Sequence, residues 1–438
     1  MDKLPKREKI AEGVHFNTIT DPRYKFNRIT AGFFAPLDEE TASLYALIPR
    51  LFHRANADYP KSKDFNNYLA SLYNAKSGYE VFGTGDTQFL GIYMNFMDDN
   101  YALHGEKITE EAVKALFNCV FNQACSESGD EFADNAAVEL CKREQIEAIE
   151  SEINDKRTYA SNQARRILYQ GEAAAVNMLG DVERTREITP QTLFKAYQKL
   201  LKSAVIEIFC VGCNDFSDAL KQAKKEFSAL ERGKIYPAES AYSPLKPQTA
   251  ETTERLPLLN QSKMVLGFKT DLKGKEIRPA ITLMSLLYGG TISSKLFLNV
   301  RERLSLCYYC WSQFSANKGV MSVSCGVEES KIEEAKAEIL TQLENVKKGD
   351  FTDEELNSAL LHEQNSIKTT RDSLSSLTWW YISLIYMKDI KSAAEILSDF
   401  EKVTREDIIK TANSMKLDTF YVLSGLESND EEMINEDE

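Results

Sequence analysis

The chain has 438 residues, 43% hydrophobic and 27% charged, an ordinary globular composition with room for two or more core-forming domains. A formal net charge of −14 repels polyanions, so nucleic acid is not expected as a partner. No run approaches the roughly 18 apolar residues that a membrane-spanning helix needs, so no membrane span is expected.

The first nine residues, Met1 to Lys9, have no apolar run behind them, so no signal peptide is expected. Eight cysteines are too sparse for a disulfide scaffold, and reduced thiols in a cytoplasmic setting are the default. Arg28 to Phe34 reads as a strand, then a polar loop and a helix from about Thr41. Tyr79 to Met97 reads as a strand pair turning at Gly83-Thr84-Gly85-Asp86. From Ile188 the chain reads ITPQTLFKAYQKLLKSAVIEIFCVGCND: a Thr N-cap with Pro190 at the first helical position, a helix, a β-branched and aromatic strand, then Gly212 and a polar turn.

That last pattern returns from Val403 as VTREDIIKTANSMKLDTFYVLSGLESND, ending at Gly425, about half a chain later. The front of the second half matches as well. Met264 to Lys269 is a strand, a helix follows from about Pro279, and Leu306 to Gly326 is a strand pair turning at Ala316-Asn317-Lys318-Gly319. Lys331 to Lys348 is an amphipathic helix ending at Gly349, and the capping box Thr352-x-x-Glu355 opens the next helix. The expected fold is α+β: two homologous repeat domains, each an antiparallel-rich sheet covered by helices. The expected boundaries are 1–235, a Pro-rich semi-extended linker at 236–257, 258–430, and an acidic tail at 431–438 that frays into solvent.

Chemistry-bearing patterns are few. Cys210-Val-Gly-Cys213 and Cys307-Tyr-Tyr-Cys310 are CxxC pairs. On a regular strand, however, residues i and i+3 point to opposite faces, so neither pair is expected to clamp a metal; small buried hydrophobes are expected instead. Four histidines, His15, His53, His104 and His362, make no HxxH, HxxxH or HExxH, so no zinc site or other cofactor is expected. Gly289 to Ser294 lacks the lysine spacing of a phosphate loop and reads as a tight turn with a Ser N-cap.

Gly289 to Tyr309, GGTISSKLFLNVRERLSLCYY, resembles a signature of the second half of insulinase/pitrilysin-type zinc peptidases, a GG-x-SS-xLF helix running into R-E-x-x-G-L-x-Y, with Ser305 where the family usually has Gly. The resemblance covers nearly the whole chain and implies a LuxS/processing-peptidase-like metallopeptidase fold. The family's first half carries H-x-x-E-H on a helix. Here Leu51-Phe52 and Tyr59-Pro60 fix the register, so the histidine positions hold Tyr45 and Pro49 and the glutamate position holds Ile48. The third ligand position falls at Ala148, or at Glu147 after a one-residue slip. Independently of any alignment, Leu44, Leu47, Ile48, Leu51 and Phe52 form an apolar helical stripe, and Pro49 should kink the helix unless local structure compensates.

The resemblance therefore implies no catalytic residues, no bound metal and no peptidase activity of the chain alone. It further implies that Arg301 and Tyr308 hold the positions from which active relatives grip the peptide and stabilise the oxyanion. A packing role, with Arg301 paired to a helix-face acid and Tyr308 in the core, is the alternative. The expected partners are a zinc-bearing paralogous peptidase subunit, forming a heterodimer, and a peptide. The chain is also similar to a bacterial subgroup labelled as associated with aminopentanol modification of elongation factor P. A peptide- or protein-binding scaffold is the rival function.

Overall fold

A computed structural model describes residues 4–257 and 259–426; the acidic tail lies outside them. Strands β1 (Lys6–Ala11), β2 (Val14–Thr20), β3 (Phe26–Pro36), β4 (Lys76–Thr84), β5 (Thr87–Met97) and β6 (Val205–Gly212) form one sheet in the order β1-β2-β6-β3-β5-β4. Strands β7 (Ala250–Leu256), β8 (Ser262–Lys269), β9 (Cys307–Ser315), β10 (Val320–Val327) and β11 (Lys416–Gly425) form a second, in the order β7-β11-β8-β10-β9. The orders match when β2 is equated with β7, β6 with β11, β3 with β8, β5 with β10 and β4 with β9. Directions match too: β2–β6 and β7–β11 are parallel, and the other equivalent pairs are antiparallel. The fold is thus α+β with two similar halves, and β1 is an addition to the first. Strand β7 begins at Ala250, inside the stretch read from composition as linker. What remains of that stretch is fastened as well: Ser243 N–H donates to the Lys318 carbonyl (2.9 Å), and Lys269 Nζ to the Pro244 carbonyl (2.9 Å).

In the first half, helices α1 (Ala42–Phe52), α2 (Ser62–Ser71), α3 (Ile108–Phe121), α4 (Asn135–Glu150), α5 (Lys156–Leu168), α6 (Val182–Arg186), α7 (Pro190–Ser203) and α8 (Ser217–Ser228) surround the sheet. In the second they are α9 (Arg278–Ser285), α10 (Ile332–Lys347), α11 (Asp353–Thr369), α12 (Leu374–Tyr386), α13 (Ala393–Glu401) and α14 (Arg405–Ser414). Local chemistry sets their starts. Thr189 and Thr404 cap the equivalent helices α7 and α14, each through a reciprocal capping box, as does Thr352 with Glu355 at α11. Ser294 accepts from the Phe297 N–H, the cap expected after the Gly289 turn.

Strand β3 is buried along nearly its whole length on both faces, so its sheet needs cover on both sides. One face carries the half's own helices: Ile29, Ala31 and Phe33 join Leu47, Leu116 and Leu200 in one core. The other face, with Phe34, Phe89, Phe209 and Val211, is covered by Leu377, Tyr381 and Ile382 of α12, a helix of the second half. The second sheet borrows in return: Val265, Tyr421 and Leu423 pack against Ala160 and Ala164 of α5 from the first half. The exchanged helices hold corresponding places in the repeat, so each half completes the core of the other. The equivalent hairpin turns also meet. Lys318, its side chain almost fully buried, pairs with Asp86 (2.8 Å) and Glu172 (2.7 Å), and Asn317 Nδ2 donates to Thr84 Oγ1 (2.9 Å).

Candidate functional site

Helix α1 runs unbroken from Ala42 to Phe52 through Pro49, so the expected kink does not interrupt it, although Pro49 has no N–H to offer the Tyr45 carbonyl. Residues 45, 48 and 49 share one face, as i, i+3 and i+4 must. All three are buried, and Tyr45 and Ile48 belong to the first core beside Leu51 and Phe52. Burial pushes the Tyr45 phenol up to about 12, so it is neutral at any physiological pH.

Across from α1, α4 presents Gln145, fully buried, whose amide donates to the carbonyls of Ser43 (3.0 Å) and Leu179 (2.9 Å). Ala148 is half-buried on the same helix and Glu147 is exposed. One turn before Ala148 stands Glu144, a carboxylate that a metal could have used. It is engaged instead by two guanidiniums, Arg54 at 2.7 Å and Arg50 at 3.4 Å. Beside them, the His53 ring packs on Tyr79 with centroids 4.9 Å apart. Burial, reinforced by the Arg54 charge, drives its pKa down to about 4. The positions 45, 48 and 49 therefore offer α1 no charged or imidazole ligand, and Glu144 on α4 is already paired with the guanidiniums of Arg50 and Arg54.

The second half is arranged differently. Leu296–Arg303 forms π-helical turns that end at Ser305, whose φ of +50° is the left-handed conformation glycine prefers. Arg301 emerges from that segment, 42% exposed at its side chain, over the Phe297 ring (4.7 Å) and 3.7 Å from Glu302. Tyr308 lies at the start of β9 and is 62% exposed. Its setting is a β-bulge: Tyr309 pairs with Gly326 and Cys307 with Val327, so Tyr308 is the unpaired extra residue. Arg301 and Tyr308 line one open cleft of about 390 Å³ together with Glu302, Ser305, Cys307 and Glu328. Tyr308 is therefore not a core aromatic. A second cavity, about 530 Å³, lies between α5, the second sheet and the Gly83–Gly85 turn.

The same bulge corrects the reading of the cysteines. By inserting one residue it puts Cys307 and Cys310 on the same, inward face of β9, whereas a regular strand would have separated them. Cys325 lies directly opposite Cys310 on β10. The three sulfurs lie within 4.8 Å of one another, the only set of metal-ligand type so grouped among the described residues. Hydrogen bonds from the other two thiols hold Cys307 below the usual thiol range, and donating those bonds pushes Cys310 and Cys325 above it.

Known proteins share this architecture. A family model described as "Peptidase M16 inactive domain" matches residues 187–361, which contain the Arg301–Tyr308 segment. The "Probable inactive metalloprotease YmfF" of Bacillus subtilis (strain 168) is 25% identical over 418 residues, 95% of this chain and 96% of that protein. The chain is thus similar, over nearly its whole length, to proteins described as inactive M16-type peptidases. A conserved protein of Enterococcus faecalis V583 superposes with a TM-score of 0.86 at 26% identity, covering 97% of this chain and 99% of that one. An M16 inactive-domain protein of Pseudomonas fluorescens superposes with a TM-score of 0.77 at 15% identity, covering 97% and 98%. In this chain no helix among the described residues is long and apolar enough to cross a membrane.

Proposed function

We propose that this chain is the zinc-less subunit of a two-chain cytoplasmic peptidase of the M16 type and that it presents Arg301 and Tyr308 to a peptide held at the zinc site of a paralogous partner. One observation carries the reading. The Arg–Tyr pair stands exposed on a shared cleft, with Tyr308 turned outward by a bulge, while Tyr45 and Ile48 are packed into the first core. A tyrosine kept only for packing would be buried; a phenol meant for a developing oxyanion must be reachable. The sequence-level resemblance supplies the roles: Arg301 holds a carbonyl or carboxylate of the peptide, and Tyr308 donates to the tetrahedral oxygen.

The test mixes this chain with a zinc-bearing paralogue and follows cleavage of a labelled peptide. The mixture should cut, this chain alone should not, and chelation should stop the mixture. If Arg301→Ala and Tyr308→Phe both sustain full cleavage by the mixture, the cleft is not part of that site. The rival reading, a scaffold that only binds a peptide or a partner, then takes its place.

A further inference from the structure

Cys307, Cys310 and Cys325 take no part in the proposed peptide chemistry, and conventional packing does not require three sulfurs to converge. None is in a disulfide, and their residues are 8%, 4% and 0% exposed. The other buried cysteines, Cys119, Cys141 and Cys210, have no comparable cluster. Two features bring the three together: the bulge at Tyr308, which rephases β9, and the cross-strand pairing of Cys310 with Cys325. We propose that this trio is a binding site for one thiophilic d10 cation, with Cys307, Cys310 and Cys325 as its three sulfur ligands.

The geometry is close to what such an ion needs. Metal–sulfur bonds of about 2.3 Å place ligand sulfurs roughly 3.8–4.0 Å apart in tetrahedral or trigonal sites. Sulfurs already within 4.8 Å of one another reach that spacing by small side-chain adjustments. The soft all-thiol donor set selects Zn²⁺ or Cu⁺ over the hard cations that prefer oxygen. Entry routes exist on two sides: Cys307 borders the Arg301–Tyr308 cleft, and Cys310 borders a second cleft lined by Gly290, Ser293 and His362. Zn²⁺ would take a water from a cleft as its fourth ligand, whereas Cu⁺ is satisfied by three sulfurs. Binding is a proton exchange without redox change: three thiols and M²⁺ give a tris-thiolate complex and three protons released to solvent. An ion here would tie β9 to β10 beside the bulge and so fix the base from which Tyr308 projects.

The test uses the full chain, reduced and freed of metal, titrated with Cd²⁺ as the optical stand-in for Zn²⁺ and, anaerobically, with Cu⁺ from a competing chelator. One equivalent should bind with thiolate-to-metal charge-transfer absorption. Replacing Cys307, Cys310 or Cys325 by Ser should weaken binding by about tenfold or more and remove roughly a third of the absorption. Cys→Ala versions repeat the test where a buried hydroxyl unfolds the sheet. Only variants whose circular dichroism and melting match the unmodified apo chain are scored. A Cys125→Ser/Cys213→Ser double variant should titrate like the parent. The Cd²⁺ and Cu⁺ affinities, each measured by competition, assign the ion. Absence of a charge-transfer band at one equivalent overturns the proposal. So does a band that depends on Cys125 or Cys213, or a Cys310–Cys325 disulfide that survives reduction.

Discussion

The α1–α4 face of the first half and the Leu296–Tyr308 segment of the second are the two places that the sequence resemblance singles out, and they differ in opposite directions. On α1 the motif positions are apolar and closed: Tyr45 and Ile48 are each 3% exposed, and Glu144 across the gap is spent on Arg50 and Arg54. In the second half the side chains are polar and open: Arg301 is 42% exposed at its side chain and Tyr308 is 62% exposed. Packing does not demand an exposed tyrosine on a bulge, whereas it does demand an apolar residue at position 48. The first region now contributes stability and the second remains available for contacts.

The largest expected effect comes from forcing the closed region open. Ile48→Glu places a carboxylate where the resemblance puts the motif's glutamate, but in the core beside Leu51 and Phe52. An unpaired buried carboxylate should cost on the order of 4–5 kcal/mol or unfold the chain. Urea unfolding monitored by fluorescence reads this directly. Near-parental stability together with zinc uptake would break the contrast.

The open region should behave in reverse. Tyr308→Phe removes an exposed hydroxyl, and stability should change by no more than about 0.5 kcal/mol. Cleavage by the mixed pair should nevertheless fall roughly 100- to 1000-fold, the usual loss for one oxyanion donor. Arg301→Ala should raise KM more than it lowers kcat, because the guanidinium also holds a ground-state group. Arg301→Lys should rescue poorly, since an ammonium cannot form the bidentate fork.

Next in size is a pH dependence seated in the closed region. His53 has a folded pKa of about 4 against an ordinary 6.5, held down by burial and by the Arg54 and Arg50 charges against the opposing pull of Glu144. The unfolded chain therefore takes up this proton first as the pH falls. The stability held by neutral His53 is complete above about 6.5 and lost progressively toward pH 4, by about 3 kcal/mol at most. His53→Phe, which keeps a ring on Tyr79, should flatten that part of the stability–pH curve. Denaturation midpoints between pH 4 and 7 measure it, and an unchanged slope in the variant would assign the dependence to other groups.

Much of this was legible in the chain itself. The strand–glycine endings at Gly212 and Gly425, the caps at Thr189 and Thr404, and the paired hairpin turns are local signals, and the structure reproduces them. Arg301 and Tyr308 could be singled out because the resemblance fixes their spacing. Their exposure was not legible, since it depends on a bulge that no residue at 307–310 announces. That bulge also defeated the argument against the cysteines, which assumed an unbroken two-residue period. Cys325 was out of reach for another reason: its partners come from the neighbouring strand. The exchange of α5 and α12 was hidden because an apolar helical stripe says that a helix packs, never against which sheet.

The smallest effect concerns the hinge between Arg301 and Tyr308. Ser305 sits at φ +50° where the π-helical segment ends, with the Leu306 N–H reaching back to the Val300 carbonyl (3.0 Å). A side chain in the left-handed region costs roughly 1–2 kcal/mol, and glycine, which the family usually has there, avoids that cost but loses more backbone entropy on folding. The difference leaves Ser305→Gly more stable by about 0.5–1 kcal/mol. Ser305→Ala keeps the β-carbon and should gain nothing. Because residue 305 is exposed, the comparison is free of core-packing effects, and the two variants differ in backbone freedom alone. If glycine fails to outperform alanine in chemical denaturation, the backbone at 305 is not strained, and the cleft owes its shape to the bulge at Tyr308 rather than to the turn before it.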